Sequence, residues 1–209
     1  MKIIFVRHGQ AENNVQHVAA SALDAPHELT ALGRRQIKGI ARNPRLNVDF
    51  TAIYVSPLKR TQQTYQILAK NNSRIGAASC ATDQRLREIN MGKYEGRVIT
   101  RWPVVAVWAV RYMARLFGGS SFRVQGGESF REMARRLADF MADAVEQYSD
   151  SDTILAISHG DTILEAKFVI RRTRPDKNSR GYFPPTNAEI VTFNLNKSDL
   201  PKLRAIAEK

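Results

Sequence analysis

A single cysteine, Cys80, occurs in the chain, which excludes an internal disulfide and any four-cysteine metal site. Cys80 reads as a small strand residue. Long apolar runs are missing as well. Ile3-Ile4-Phe5-Val6 stops at Arg7, short of the roughly 7–15 apolar residues of a secretory signal. Trp102 to Val110 is broken off by Arg111 and Arg115, short of the about 20 residues a membrane span needs. No transmembrane segment is therefore expected, and the cytoplasm is the expected compartment. The four histidines are dispersed, without His-x-x-x-His or paired-carboxylate spacing, so neither a metal nor another cofactor is expected. Acidic side chains are the scarcer sign: 20 against 32 basic ones give a net charge of +12 in 209 residues. That excess concentrates anions around the molecule. No tract interleaves aromatics with Lys and Arg, so a specific nucleic-acid partner is not expected. A small phosphorylated substrate, or a phosphoprotein, accounts for the charge at least as well.

What is present is an alternation of strands and helices. Lys2 to Val6 and Thr51 to Val55 read as short strands, Ala78 to Thr82 as a third, and the almost wholly apolar Thr153 to Ile157 as a central one. A helix is expected over Thr30 to Arg42, capped by Thr30, with Leu32, Ile37 and Ile40 on its inner face. Ser56-Pro57 reads as the cap and first residue of another, running to about Lys70. Ser129 and Glu132 have capping-box spacing, and Phe130, Met133, Leu137, Phe140, Met141 and Tyr148 follow as a buried stripe. Asp161 to Val169 is expected to be helical, and Ala188 to Asn194 and Lys202 to Ala207 to be late edge strands. The alternation predicts an α/β fold: a three-layer α/β/α sandwich with a mostly parallel central sheet, a single domain over 1–209. One composition shift interrupts it. Residues 97–125 carry five arginines and no Asp or Glu, a basic helical insertion with a helix over Val104 to Phe117.

Two strands end alike, the first in Arg7-His8-Gly9 and the central one in Ser158-His159-Gly160. Open α/β sheets place ligands at the carboxyl ends of their strands, and a following glycine permits close backbone approach. Two histidines at equivalent ends point to chemistry rather than packing. Phosphoryl transfer needs a nucleophile, cations for the phosphoryl oxygens and a proton for the leaving group. His8 can supply a ring nitrogen, Arg7 and Arg60 bidentate donors, and Glu88 the proton.

The chain resembles the histidine phosphatase superfamily, with its phosphoglycerate-mutase-like fold. The matching stretches are Val6-Arg7-His8-Gly9-Gln10-Ala11-Glu12-Asn13-Asn14, Leu29-Thr30-Ala31-Leu32-Gly33, and Val55-Ser56-Pro57-Leu58-Lys59-Arg60-Thr61. Leu86 to Gly96, Gly126-Gly127-Glu128-Ser129 and Ser158-His159-Gly160 follow in the family's order, leaving only about 97–125 outside. The resemblance implies that His8 becomes phosphorylated, that Arg7, Arg60 and His159 surround the phosphoryl group, that Asn14 adds a polar contact, and that Glu88 is the acid–base residue. Ala11 departs from the pattern, standing where the family often has a hydroxyl. His17, His27, Glu12 and Glu95 read as structural or rim residues.

The expected activity is metal-independent hydrolysis of a phosphomonoester. A phosphomutase of the same fold is the first alternative. The glycolytic mutases have a longer segment at 97–125 and typically Asn-Ser after the second His-Gly, where this chain has Asp161-Thr162. A non-catalytic protein holding a phosphorylated ligand is the second alternative, and it should have lost His8, Glu88 or His159, all of which are present. For the insertion three readings stand beside a plain solvated surface. It is a lid bringing Arg111 and Arg115 to the site, with Gly118-Gly119-Ser120-Ser121 as hinge, or a weak contact to an anionic membrane surface, or a subunit contact.

Overall fold

A computed structural model of the chain describes residues 1–116, 121–173 and 183–208, apart from several side chains of the helix at 104–116. Five strands form one sheet: β1 (Lys2–Arg7), β2 (Ala52–Val55), β3 (Cys80–Thr82), β4 (Thr153–Ser158) and β5 (Ile190–Asn194), in the order β3-β2-β4-β1-β5. The first four run parallel, and β5 pairs antiparallel with β1 at the edge. Helices are α1 (Glu12–Gln16), α2 (Ala31–Ile40), α3 (Lys59–Asn71), α4 (Ser73–Ala77), α5 (Val104–Leu116), α6 (Phe130–Gln147), α7 (Gly160–Thr173) and α8 (Leu200–Ala207).

Side-chain alternation divides the core in two. Ile3, Phe5, Ile154, Ala156 and Phe193 point to one face, where α6, α7 and α8 cover them with Phe130, Leu137, Phe140, Ile163 and Leu203. Ile4, Val6, Ile53, Val55, Leu155 and Ile157 point to the other, against Ile37 of α2 and Leu68 of α3. Strands covered on both faces can be apolar throughout, which is why β1 and β4 read as unbroken runs. The result is the expected α/β/α layering.

Local signals are obeyed where they involve only neighbouring residues. Thr30 accepts from the Gly33 amide, and Ser129 and Glu132 close a reciprocal capping box at the start of α6. Three expectations are corrected. Residues 202–207 belong to helix α8, not to a strand. Pro201 stands at its start, Leu203 is buried, and Arg204 reaches Asp139 at 2.8 Å and Asp143 at 2.7 Å on α6. Leu32 is exposed rather than inward, because α2 turns Gly33 and Ile37 to the sheet. A Cβ on Gly33 would lie 2.0 Å from the Gln10 carbonyl oxygen, so this close backbone crossing sets the helix's rotation. Finally, α3 begins at Lys59, not at Ser56-Pro57. The Ser56 amide still donates to Ile157 at 3.0 Å, prolonging the sheet ladder.

Among the described residues, no helix is long and apolar enough to cross a membrane.

Candidate active site

Parallel pairing of β1 with β4 sets Arg7 opposite Ser158, so the next residue on each strand, His8 and His159, leaves the sheet at the same level. Their rings meet edge to face with centroids 5.2 Å apart. Both are buried. The glycine after each histidine allows a different close approach. At Gly9 an added Cβ would lie 2.5 Å from the Gly33 carbonyl oxygen, and at Gly160 it would lie 3.1 Å from the guanidinium carbon of Arg7.

The His8 ring is fixed by its hydrogen bonds. Nδ1 lies 2.7 Å from the Gly9 carbonyl oxygen, which can only accept, so Nδ1 carries the proton and Nε2 keeps the lone pair. Arg60, in the first turn of α3, donates from Nε to that Nε2 at 3.1 Å and from its terminal nitrogen to the Ala20 carbonyl at 2.8 Å. Burial, then the charges of Arg60 and Arg7, push the His8 pKa well below 6.5. The ring is therefore neutral at pH 7, with its single Nε2 lone pair held by the Arg60 Nε–H.

His159 is held from the other side. Its Nε2 lies 2.7 Å from the Ser56 hydroxyl. With that hydroxyl donating, the proton belongs on Nδ1, which has no partner among the described residues; neither has Arg7 Nε. Arg7 Nε is thus a buried donor that can meet an anionic oxygen, and His159 Nδ1 is another in that tautomer. Arg7 itself is anchored by Nη1 donating to the Pro185 carbonyl. Burial, with Arg60 next, lowers the His159 pKa well below 6.5 as well. Arg60 is lowered to about 10, mainly by burial, and stays charged at pH 7.

Glu88 has the opposite perturbation. Its carboxylate accepts from the Ile89 amide at 2.9 Å and from the Asp161 amide, in the first turn of α7, at 3.3 Å. The Thr162 hydroxyl stands 3.3 Å from the same group. Burial, followed by the neighbouring Asp161 charge, raises its pKa from 4.5 to about 7, against the opposing pull of the Ile89 amide and of Arg60 and Arg7. A carboxyl with that pKa is half protonated at neutral pH and can act as acid or base.

Arg7, His8, Asn14, Arg60, Glu88 and Asp161 line one cavity of about 130 Å³, walled on the apolar side by Ala19, Met91 and Ile99. Asn14 on α1 accepts from the Ala11 amide at 2.9 Å and from the Asn187 side chain at 3.3 Å. Ala11 is buried in the core cluster on the α2 side of the sheet. Glu95 is structural, gripping the Ser21 amide at 2.8 Å, the Ser21 hydroxyl, and the Met91 amide at 2.8 Å. His17 ends α1 in a left-handed conformation with φ of 53° and faces solvent. Glu12, also exposed, accepts from the Glu28 amide at 3.1 Å. His27 is half-buried, its pKa lowered by burial and by Arg60. The Arg111 and Arg115 side chains, and residues 118–120 of the hinge expected at 118–121, lie outside the described residues. A larger groove of about 670 Å³ runs along β5 past Lys2, Arg45 and Lys167, and neither histidine nor cysteine lines it. Among the described residues no three of His, Cys, Asp and Glu gather closely enough to ligate a metal.

Sequence reasoning missed Ser56 as the partner of His159 and Asp161 as the neighbour of Glu88. Asp161 carried a signal, since it follows a strand-end His-Gly at the first turn of a helix. Ser56 carried none, because its contact spans 103 positions.

The model of the histidine phosphatase superfamily (branch 1) matches residues 3–204. The chain belongs to that superfamily. A curated relative from Yersinia enterocolitica, named "Probable phosphoglycerate mutase GpmB", is 34% identical over 77% of this chain and 70% of its own length. Among solved structures, a phosphoserine phosphatase from Entamoeba histolytica in complex with 3-phosphoglyceric acid is 27% identical, with a TM-score of 0.69 over 92% of this chain and 89% of its own. A mycobacterial glucosyl-3-phosphoglycerate phosphatase complexed with VO3 shares the fold, with a TM-score of 0.70 at 24% identity over 91% of each chain.

Proposed function

We propose that this chain is a metal-independent phosphomonoester hydrolase that works through a phosphohistidine on His8. The observation that carries the reading is the pairing of opposite perturbations in one cavity. His8 is kept neutral with its Nε2 unprotonated and held by Arg60, while Glu88 holds a proton near pH 7. The Arg60 Nε–H turns from His8 Nε2 to a phosphoryl oxygen, the freed Nε2 attacks phosphorus, and the ester P–O bond breaks. The proton of Glu88 passes to the departing oxygen, leaving the carboxylate. Arg60, Arg7 and Nδ1–H of His159 face the phosphoryl oxygens as their charge develops. Water then attacks the phosphohistidine, Glu88 takes its proton, the P–N bond breaks, and inorganic phosphate leaves with the His8 lone pair restored. Arginines already supply the charge a divalent ion would bring, which supports metal independence. The phosphatase among the structural relatives, at 27% identity, supports hydrolysis.

A second reading, phosphomutase, is favoured by the name of the curated relatives. A mutase must return the phosphoryl group to bound product faster than water removes it. Incubation with 3-phosphoglycerate and a panel of phosphorylated metabolites, with inorganic phosphate and isomerised product measured together, separates the two. Hydrolysis predicts phosphate release as the faster process. Isomerisation outrunning phosphate release would replace hydrolase by mutase.

A further inference from the structure

The outer face of α5 is apolar and uncovered among the described residues. Val105, Val110 and Met113 are 45–52% exposed, Ala109 is exposed with them, and Trp102, just before the helix, is 80% exposed. Phe122 beyond the helix adds another exposed ring. The inner side is seated: Val104 is buried in a small cluster with Ala19 and Met91, with Tyr94, Ile99 and Val107 packed against it. Thus α5 is fixed to the body by one edge and turns a row of large apolar groups to solvent. Large exposed patches of this kind mark interaction surfaces.

The charge around the patch selects the occupant. Between Glu95 and Glu128 there is no acidic residue, while arginines occupy 97, 101, 111, 115 and 123. Lys93, Arg97 and Arg101 are exposed, and Arg123 is paired with Glu132 at 3.1 Å. A second copy docking face to face would bring the same positive rim against this one. An anionic lipid surface is complementary to it, and a tryptophan at the helix start suits the headgroup boundary. The helix is long enough for such binding, with 13 residues and a length of about 20 Å, is apolar along Val105, Ala109 and Met113, and is preceded in the chain by Arg97 and Arg101.

We propose that α5 with Trp102 is a peripheral membrane-docking element that binds anionic bilayers. The seated side of α5, opposite the docking face, adjoins the catalytic cavity, because Ala19, Met91 and Ile99 belong both to the cavity wall and to the cluster beneath α5. The proposal stands apart from the hydrolase reading, since lipid binding needs no turnover.

The test is co-sedimentation of the full chain with phosphatidylglycerol–phosphatidylcholine vesicles, against vesicles of phosphatidylcholine alone, at low and high salt. Binding is expected to the anionic vesicles only and to fall as salt rises. Trp102→Glu with Met113→Glu is expected to weaken it at least about tenfold while turnover of a soluble aryl phosphate stays unchanged. Tryptophan emission of the unmodified protein should shift to the blue on adding anionic vesicles, and Trp102→Phe, which leaves only Trp108, should diminish that shift. This second readout does not depend on the charged variant folding. Wild-type protein remaining in the supernatant, equal binding to neutral vesicles, or undiminished binding by the double variant would overturn the proposal. A wild-type dimer that the double variant dissociates would also overturn it, assigning the face to a second copy.

Discussion

Replacing Glu88 by glutamine separates chemistry from packing, because the side chain keeps its shape and loses its proton. In the wild-type protein burial and Asp161 raise the carboxyl to about 7. Below pH 7 the acid is ready for the first step. Above it, the protonated fraction falls about tenfold per pH unit, and kcat/KM for an alkyl phosphate should fall with it. Glu88→Gln should lower that kcat/KM by roughly 10²–10⁴-fold, the usual contribution of a positioned acid. An activated aryl phosphate, whose leaving group departs with little protonation, should lose about tenfold or less. Its upper pH limb should be absent in both proteins.

The same shift makes a claim about stability. Glu88 binds its proton more tightly folded than unfolded, so its ionisation disfavours the folded state. No penalty exists well below pH 4.5, it grows between 4.5 and about 7, and it is complete above. That difference corresponds to at most about 3 kcal/mol. Glutamine removes the penalty but turns an amide toward the Asp161 N–H, which loses an acceptor and costs about 1 kcal/mol. The variant should therefore be more thermostable than wild type at pH 8, with the advantage gone at pH 4. Thermal unfolding at both pH values, beside kinetics on both substrates, is the assay. Equal kinetic losses on alkyl and aryl phosphates, or lower stability at high pH, would refute the acid role.

His8→Ala should abolish turnover, and rapid quench of the wild type with labelled substrate should trap an acid-labile, base-stable phosphate on His8; label on Ser158 or Cys80 instead would overturn the mechanism. Activity should survive excess chelator, because Arg7 and Arg60 already face the nucleophile; loss on chelation with recovery on one divalent ion would show the site misread. Ser129→Ala should leave kcat/KM unchanged and cost about 1 kcal/mol of stability, read as a lower Tm, since it deletes the capping box of α6. An unchanged Tm would mean that the cap is redundant.

Legibility followed the range of the interaction. The two strand-end histidines were visible because an apolar run, a polar residue, His and Gly repeat at two places, and parallel pairing then needed only to set Arg7 beside Ser158. The caps at Thr30 and Ser129 were visible because each bond spans three residues. Ser56 was misread because its local signal, serine before proline, is the signal of a helix start. Its hydroxyl is taken by His159 and its amide by the sheet. In α8 the eight residues offer both patterns, and what decides is remote: Leu203 in the core beside α6, and three acids of α6 around Arg204. The direction of the titration shifts was likewise invisible, since burial of Glu88 depends on what covers it.

That burial explains why the site can run acid and base chemistry together. In water at neutral pH an imidazole is partly protonated and a glutamate is ionised, so the nucleophile is partly blocked and the acid has no proton. Desolvation disfavours whichever form is charged, and it therefore corrects both at once, stripping His8 and loading Glu88. Arg7 and Arg60 sharpen the first effect and oppose the second, since positive charge favours both a neutral imidazole and an ionised carboxylate. At Glu88 burial is the larger cause that outweighs them, and the Asp161 carboxylate adds to it. The residue after the second His-Gly thus helps to set how much of Glu88 is protonated, and neutralising it, as in Asp161→Asn, should move the upper limb of the pH profile downward. Were that limb to stay in place, burial alone would account for the acid.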